Sequence, residues 1–197
     1  MYPAEKAAVF IDGGYLEKLL KHYFAEKRID PAANREVMVE PRIDFLRLSE
    51  LLCKGYERFR TYYYNCMPYQ SNPPTREESE RYSNKRRFIQ YLQRLPRFQV
   101  RLGRLRKTAS GEFEQKGVDV QLAIDLVELA AVRTIRKAVL IGGDADYVPP
   151  VKKARDFHVI VELYYHSRHV SDELFDACDE RTEITEELVD SVRIINP

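Results

Sequence analysis

Residues 7–14 read Ala-Ala-Val-Phe-Ile-Asp-Gly-Gly, an apolar run that leads directly into an acid and two glycines. A short apolar run that ends in such a turn signal is typical of a buried strand. Residues 15–24 then place leucines and a tyrosine at helical spacing. The beginning of the chain therefore predicts a buried strand, a tight turn at Asp12 and a helix.

Farther along, apolar or tyrosine-rich runs alternate with amphipathic stretches. We expect strands over residues 58–66, 98–107, 137–141 and 159–165, and helices over 44–54, 76–95, 119–132 and 147–157. Residues 26–41 and 68–75 are expected to be loops, 108–117 is a polar stretch, and the acidic tail is expected to form short helices. Strands that alternate with helices predict a parallel sheet with helices on both faces.

The helix over 119–132 needs a buried face, for which its apolar spacing offers Val120, Ile124 and Val127. The helix over 44–54 begins with Asp44, a residue type that commonly caps helices. These two expectations concern individual side chains: which residues of one helix are buried, and which residue caps the other.

Composition indicates one globular domain. The chain has 197 residues, of which 44% are hydrophobic and 32% charged. No apolar run approaches the roughly 18 residues that span a bilayer, and the first residues lack the layout of a signal peptide. Three scattered cysteines form neither a disulfide framework nor a zinc motif. We therefore expect a cytoplasmic protein with no membrane partner.

The net charge of +1 conceals two charged segments. Residues 81–107 carry ten Lys or Arg and no acid, whereas residues 171–190 carry nine acids and one Arg. Cations interleaved with aromatic rings suit a nucleic acid, because cations hold phosphates and rings stack on bases. Taken alone, the charge run favours a simpler explanation, a solvated helix face that pairs with the acidic segment. If RNA binds the basic segment, we expect the acidic tail, residues 171–197, to compete with RNA for that segment.

Four aspartates are expected near the carboxyl ends of the predicted strands, where open α/β sheets form their sites. Asp12 follows the first strand, Asp144 and Asp146 follow the strand over 137–141, and Asp119 begins a helix. Such carboxylates cannot all stay ionised side by side without a cation. Mg²⁺ or Mn²⁺, which favour oxygen ligands, would resolve the repulsion. Each acid also has a simpler explanation, as a helix cap or a turn residue.

Other motifs are weaker. His166 and His169 form an H-x-x-H pair without a third ligand. The Asp144-Ala-Asp146 motif is similar to that of haloacid dehalogenase phosphatases, but only the last quarter of the chain follows it.

Three motifs together resemble the NYN domain, in its LabA-like bacterial branch. They are Val-Phe-Ile-Asp-Gly-Gly-Tyr-Leu at 9–16, Lys-Gly-Val-Asp-Val-Gln-Leu-Ala-Ile-Asp at 116–125, and Val-Leu-Ile-Gly-Gly-Asp-Ala-Asp-Tyr-Val at 139–148. They occur in the family's order. The resemblance implies a single NYN domain over 1–197 with a PIN-like, three-layer α/β/α fold and a central, mainly parallel sheet. Residues 66–115 would be a basic insertion beside this core.

The resemblance further implies a ribonuclease that hydrolyses RNA, expected to be single-stranded, with Mg²⁺ or Mn²⁺. Its catalytic and metal-binding residues would be Asp12, Asp119, Asp144 and Asp146. Asp125 matches a recurrent family acid and is expected to support the metal ligands, as is Tyr15, which stands where many members have Asn. Candidate RNA-binding residues are Lys85, Arg86, Arg87, Arg101, Arg104, Arg106 and Lys116.

Two questions stay open at this point. Because Tyr15 removes a polar ligand, an RNA-binding regulatory module with weak or no catalysis is the alternative to a ribonuclease. A homo-oligomer is also considered, since an exposed sheet edge could pair with a second copy.

Overall fold

The computed structural model describes residues 4–30, 34–107 and 113–194. Its strands are β1 (Lys6–Asp12), β2 (Glu26–Asp30), β3 (Arg35–Val39), β4 (Glu57–Cys66), β5 (Phe98–Lys107), β6 (Phe113–Lys116), β7 (Lys137–Ile141), β8 (Ile160–Tyr165) and β9 (Glu180–Glu183). Its α-helices are α1 (Gly13–Tyr23), α2 (Phe45–Leu52), α3 (Arg76–Arg94), α4 (Val118–Ala131), α5 (Val148–Asp156), α6 (Asp172–Ala177) and α7 (Glu186–Ser191). A short 3₁₀ helix (Ala145–Tyr147) connects β7 to α5.

Within these residues, seven strands form one sheet in the order β6-β5-β4-β1-β7-β8-β9. All neighbours pair in parallel except β5 and β6, which are antiparallel. The strand order changes direction at β1, because β4 and β5 lie on one side of it and β7 to β9 on the other. The edge at which β1 ends is therefore the switch point of the sheet.

Strand β1 is buried on both faces, which explains its uninterrupted apolar sequence. Val9 and Ile11 pack with α1, α2, α3 and α7 in one cluster of buried residues. Phe10 packs with α4, α5 and α6 in the other cluster. The central, mainly parallel sheet thus lies between two helical layers, and the predicted three-layer α/β/α architecture is confirmed.

The prediction for the buried face of α4 was wrong. Val120 and Ile124 are 61% and 57% exposed, and the helix buries Leu122 and Leu126 instead. Apolar residues surround most of this helix, so their spacing did not decide which side faces the sheet.

Three segments predicted without strands contain them: residues 26–41, residues 108–117 and the acidic tail, which contains β9. Residues 26–41, expected to be a loop, form the β2–β3 hairpin, and the polar stretch 108–117 contains β6. The expected loop at 68–75 carries no helix or strand, and it contains the cis bond between Asn72 and Pro73. The predicted basic insertion, residues 66–115, supplies α3, β5 and β6.

The acidic segment is part of the fold and not a free tail. Residues 171–194 form α6, β9 and α7, and β9 pairs with β8 at the sheet edge opposite β5 and β6. Val189 and Val192 lie in the core. The expected competition with RNA stays a prediction. Strand β9 lies at the sheet edge opposite β5 and β6, whereas Ile194, near the end of the segment, lines the same groove as Arg81 and Tyr91 of α3. In the part of the chain that is described, no helix is long and apolar enough to cross a membrane.

Candidate active site

Asp12 ends β1 at the switch point, where a crevice forms beyond the carboxyl ends of the strands in open α/β sheets. Its Oδ1 accepts a hydrogen bond from the backbone N–H of Tyr15 at 3.0 Å. Asp12 is thus the N-cap of α1, as the simpler explanation of this residue predicted. Its second carboxylate oxygen remains available for another partner.

That partner is the side chain of Tyr147. The Tyr147 hydroxyl lies 3.0 Å from Oδ2 of Asp12 and 2.7 Å from Oδ1 of Asp119, in the first turn of α4. Three separate elements therefore meet at one hydroxyl. We call Asp12 and Asp119 the acidic pair. Sequence reasoning missed Tyr147, for which the only signal was its place directly after Asp146 in the third motif.

The two carboxylates of the acidic pair share a single donated proton, that of the Tyr147 hydroxyl. A tyrosine hydroxyl carries one proton, so it cannot donate fully to two carboxylates at once. Burial raises the pKa of Asp12, and the charge of Asp119 raises it further against the hydrogen bonds of Tyr15 and Tyr147. Burial and both carboxylates also raise the pKa of Tyr147, which keeps its proton. A cation fits this arrangement, because it would supply the positive charge that the pair lacks.

Asp144 and Asp146 do not share the hydroxyl. Oδ1 of Asp144 accepts the backbone N–H of Asp146 at 3.0 Å and caps the 3₁₀ helix, and both side chains are exposed. Across residues 4–30, 34–107 and 113–194, no three His, Cys, Asp or Glu side chains lie close enough together to hold a metal ion. The acidic pair is therefore the part of the predicted cluster that the structure brings together.

Asp125 does not belong to the acidic pair; its carboxylate forms hydrogen bonds with side chains of β4 and β5. Arg101 on β5 donates two hydrogen bonds of 3.1 Å to its carboxylate, and the Tyr64 hydroxyl donates one of 2.8 Å. Asp125 is 8% exposed, so these partners, rather than water, provide its hydrogen bonds. Arg101, predicted to hold RNA, is thus engaged in an ion pair that joins α4 to β5.

A second polar network lies beside the start of α1. Glu17 Oε1 accepts hydrogen bonds from the Tyr63 hydroxyl at 2.6 Å, from Asn65 Nδ2 at 3.0 Å and from the ammonium of Lys85. The Lys85 side chain is only 14% exposed, so this predicted RNA-binding residue is held inside the fold. Glycine is required at Gly13, because a Cβ there would lie 2.4 Å from the buried Tyr63 ring.

Sequence reasoning did not identify Glu17 or Asn65 as members of this network. Asn65 carried a usable signal, since it stands at the carboxyl end of a strand, as Asp12 does.

The remaining basic candidates lie on the surface. Arg86, Arg87, Arg104 and Lys116 are exposed, and Arg87 donates to Asn84 at 2.6 Å. The side chain of Arg106 lies outside the described part of the chain.

Tyr15 positions the loop after β8. Its hydroxyl accepts the backbone N–H of His166 at 2.9 Å, and burial raises the pKa of Tyr15 to about 12. The same loop contacts α1 through a 2.8 Å hydrogen bond between the Tyr23 hydroxyl and His169 Nε2. Tyr15 thus contributes a backbone donor to Asp12 and a side chain to the neighbouring loop.

Comparisons with known proteins agree with this architecture. The chain matches a solved structure of a protein of unknown function, VPA0982 from Vibrio parahaemolyticus, with a TM-score of 0.65 over 97% of both chains. The two sequences are 18% identical, so the likeness concerns the fold alone. An uncharacterized protein, y4oD from Sinorhizobium fredii, is 43% identical over 54 residues. That match covers 27% of this chain and 25% of the relative.

The sequence model of the NYN domain matches residues 6–185. This range begins with β1 and extends past β9, so it includes the whole parallel sheet and all four predicted metal-binding aspartates. The chain therefore belongs to the NYN domain family.

Proposed function

We propose that this protein is a divalent-metal-dependent ribonuclease whose acidic pair lies at the cleavage site. The observation that carries the proposal is the convergence of Asp12 and Asp119 on the Tyr147 hydroxyl at the switch point of the sheet. The NYN domain is a nuclease-type domain with a PIN-like fold, and such domains generally use divalent metals. The acidic pair supplies the oxygen ligands that Mg²⁺ and Mn²⁺ prefer.

The acidic pair would hold the ion, with Asp144 and Asp146 on the adjoining turn as further candidate ligands. When bound, such an ion activates water and stabilises the charge that develops on a phosphodiester. The protein holds the ligands in place beforehand. The Tyr15 N–H fixes one oxygen of Asp12, and the protonated Tyr147 hydroxyl orients both carboxylates.

Water is the proposed nucleophile. The described hydrogen bonds of the acidic pair involve no Ser, Cys or His side chain. Cys66 lies nearby, but burial raises the pKa of its thiol and the charge of Asp119 raises it further. Cys66 is therefore a poor nucleophile at neutral pH.

RNA would be held by exposed cations of α3, β5 and β6. Cations that contact phosphates position a strand without reading its sequence. We assign this role to Arg86, Arg87, Arg104 and Lys116, and keep Arg106 as a candidate from the sequence. Lys85 and Arg101 are excluded from it, because each already neutralises a carboxylate of the protein.

Cleavage of a labelled single-stranded RNA in the presence of Mn²⁺ tests the proposal. We expect Asp119→Asn to lower the rate by at least about 100-fold, as the loss of a group that stabilises the transition state does. The matched control is Asp176→Asn, which alters an exposed aspartate on α6. Equal cleavage by the wild type and Asp119→Asn would mean that a contaminant cuts the RNA.

A second candidate is an RNA-binding module without efficient catalysis. Its support is Tyr15, whose hydroxyl is occupied by the loop after β8 and provides no ligand to the acidic pair. This candidate predicts salt-sensitive RNA binding without cleavage that depends on Mn²⁺. The same assay, performed together with a binding measurement, distinguishes the two.

A further inference from the structure

A groove of about 860 Å³ runs between α3 and the segment formed by α1 and residues 40–45. We call it the α3 groove, and its characteristic lining residues are Arg42, Phe45, Met67, Arg81, Phe88 and Tyr91. Its volume falls within the range of about 300–1,000 Å³ that is usual for ligand sites. Sequence reasoning singled out the aromatic residues of α3 but did not predict a groove.

One end of the α3 groove adjoins the acidic pair. Glu17 and Asn65 line the groove and belong to the network that packs on Gly13, the neighbour of Asp12. Cys66, which follows Asn65 and ends β4, also lines the groove. Strand β4 runs parallel to β1 and Tyr64 pairs with Asp12, so this end of the groove lies at the same carboxyl edge of the sheet as the acidic pair.

The lining of the groove combines flat apolar surfaces with cations. Phe88 and Tyr91 both come from α3. Phe88 packs against Phe45 and Tyr63, whereas Tyr91 is 40% exposed and therefore offers the accessible ring. Because Lys85 neutralises Glu17, the other charged side chains of the groove are Arg42 and Arg81 against Glu40. Aromatic rings that stack on bases and arginines that hold phosphates are the combination that binds single-stranded nucleic acid.

We propose that the α3 groove binds one or two unpaired bases of a single-stranded RNA, at the edge of the sheet that also holds the acidic pair. The choice of RNA as the ligand rests on the proposed function, whereas binding in the groove can occur without cleavage. Paired bases are stacked inside a duplex and offer no free face to Tyr91. The groove therefore makes the protein select single-stranded over double-stranded RNA.

The test compares the affinities of three RNA probes, measured by fluorescence anisotropy with the full chain in EDTA. The probes are a single-stranded oligoadenylate, the same strand with abasic residues, and a blunt RNA duplex. We expect the wild type to bind the oligoadenylate about tenfold more tightly than either other probe, since stacking contributes that much per base. Tyr91→Ala should remove most of this preference, and Tyr91→Trp should keep it.

Tyr82→Ala is the matched control, because Tyr82 is also on α3 but does not line the groove. Arg81→Gln provides a second variant at an exposed groove position, and it should weaken the binding of all three probes. Equal wild-type affinity for the intact and abasic strands would overturn the proposal, as would equal effects of Tyr91→Ala and Tyr82→Ala.

Failure of this proposal is distinguishable from failure of the proposed function. Cleavage that depends on Mn²⁺ without any preference for intact bases would refute the groove and leave the ribonuclease. Base-dependent binding without cleavage would support the groove and refute the ribonuclease.

Discussion

Asp12 and Asp119 come from different halves of the chain, yet both carboxylates lie within 3.0 Å of a single donor, the hydroxyl of Tyr147. The end of β1, the first turn of α4 and the 3₁₀ helix after β7 meet at this point. One proton serves two acids there, one of which is buried enough to have a raised pKa. The proposed cation would bind at this shared hydrogen bond.

Tyr147→Phe tests whether the shared hydroxyl stabilises the metal-free fold. The substitution leaves two carboxylates without their common donor, so we expect the free energy of unfolding in EDTA to fall by about 2 kcal/mol. Addition of Mn²⁺ should raise the melting temperature of this variant more than that of the wild type. Tyr165→Phe, which removes a partly exposed hydroxyl elsewhere, is the control. Unchanged stability of Tyr147→Phe would contradict the role of the hydroxyl.

The raised pKa of Asp12 predicts a pH dependence of stability. Burial raises this pKa above its ordinary value of 3.8, so the folded state binds the Asp12 proton more tightly than the unfolded state does. The resulting stability is complete below pH 3.8 and is lost as the pH rises through the raised pKa. Asp12→Asn cannot ionise and keeps a good N-cap.

Urea unfolding in EDTA, measured from acid to neutral pH, checks this dependence. The unfolding free energy of the wild type minus that of Asp12→Asn should decrease as the pH rises. A difference that stays constant or increases with pH would show that Asp12 is not destabilised by its burial.

Arg101 and Arg104 should have opposite roles, although both are on β5. Arg101→Met leaves the buried Asp125 with Tyr64 as its remaining partner. We expect a loss of about 2 kcal/mol in the free energy of unfolding, below the usual cost for a buried ion pair because Arg101 is 36% exposed. Arg104→Met should weaken RNA binding with little effect on stability. The reverse pattern in urea unfolding and RNA anisotropy would contradict these assignments.

The outer surface of α3 should contribute to the salt dependence of RNA binding. Each phosphate contact on a single strand adds about 0.7 to the slope of log affinity against log salt. The double variant Arg86→Gln/Arg87→Gln should therefore reduce the slope by about 1.4. Lys152→Gln/Lys153→Gln, which removes two exposed charges from α5, is the control and should leave the slope unchanged. A similar loss in both double variants would indicate nonspecific attraction.

The sequence predicted the elements that carry their own local signals. Residues 7–14 predicted β1 and the start of α1 because the run is apolar and ends in a turn. The helix expected over 44–54 is α2, and its predicted cap is confirmed, since Asp44 accepts the backbone N–H of Arg47 at 3.0 Å.

The elements that were missed depend on partners elsewhere in the chain. Strand β9 reads Glu-Arg-Thr-Glu, which has no apolar alternation, and it becomes a strand by pairing with β8. The β2–β3 hairpin is the exception, because its two strands pair with each other as a separate sheet; its many charged residues hid the strand signal.

In the candidate site, too, residues with a local sequence signal were predicted and residues that depend on distant partners were missed. The acids of the acidic pair stood out because each follows a strand or begins a helix within a motif. Tyr147 was not singled out, since its two hydrogen-bond partners come from distant parts of the chain. Asp125 and Arg101 were assigned separate functions because no local pattern indicates that a residue of α4 pairs with one of β5.

The location of a bound Mn²⁺ ion tests the central claim most directly. Crystals soaked in Mn²⁺ would reveal the ion by its anomalous scattering. We predict a peak about 2.1 Å from carboxylate oxygens of both Asp12 and Asp119, the distance usual for a small divalent ion bound to oxygen. A peak held only by other acids, or no peak at the acidic pair at saturating Mn²⁺, would contradict the account.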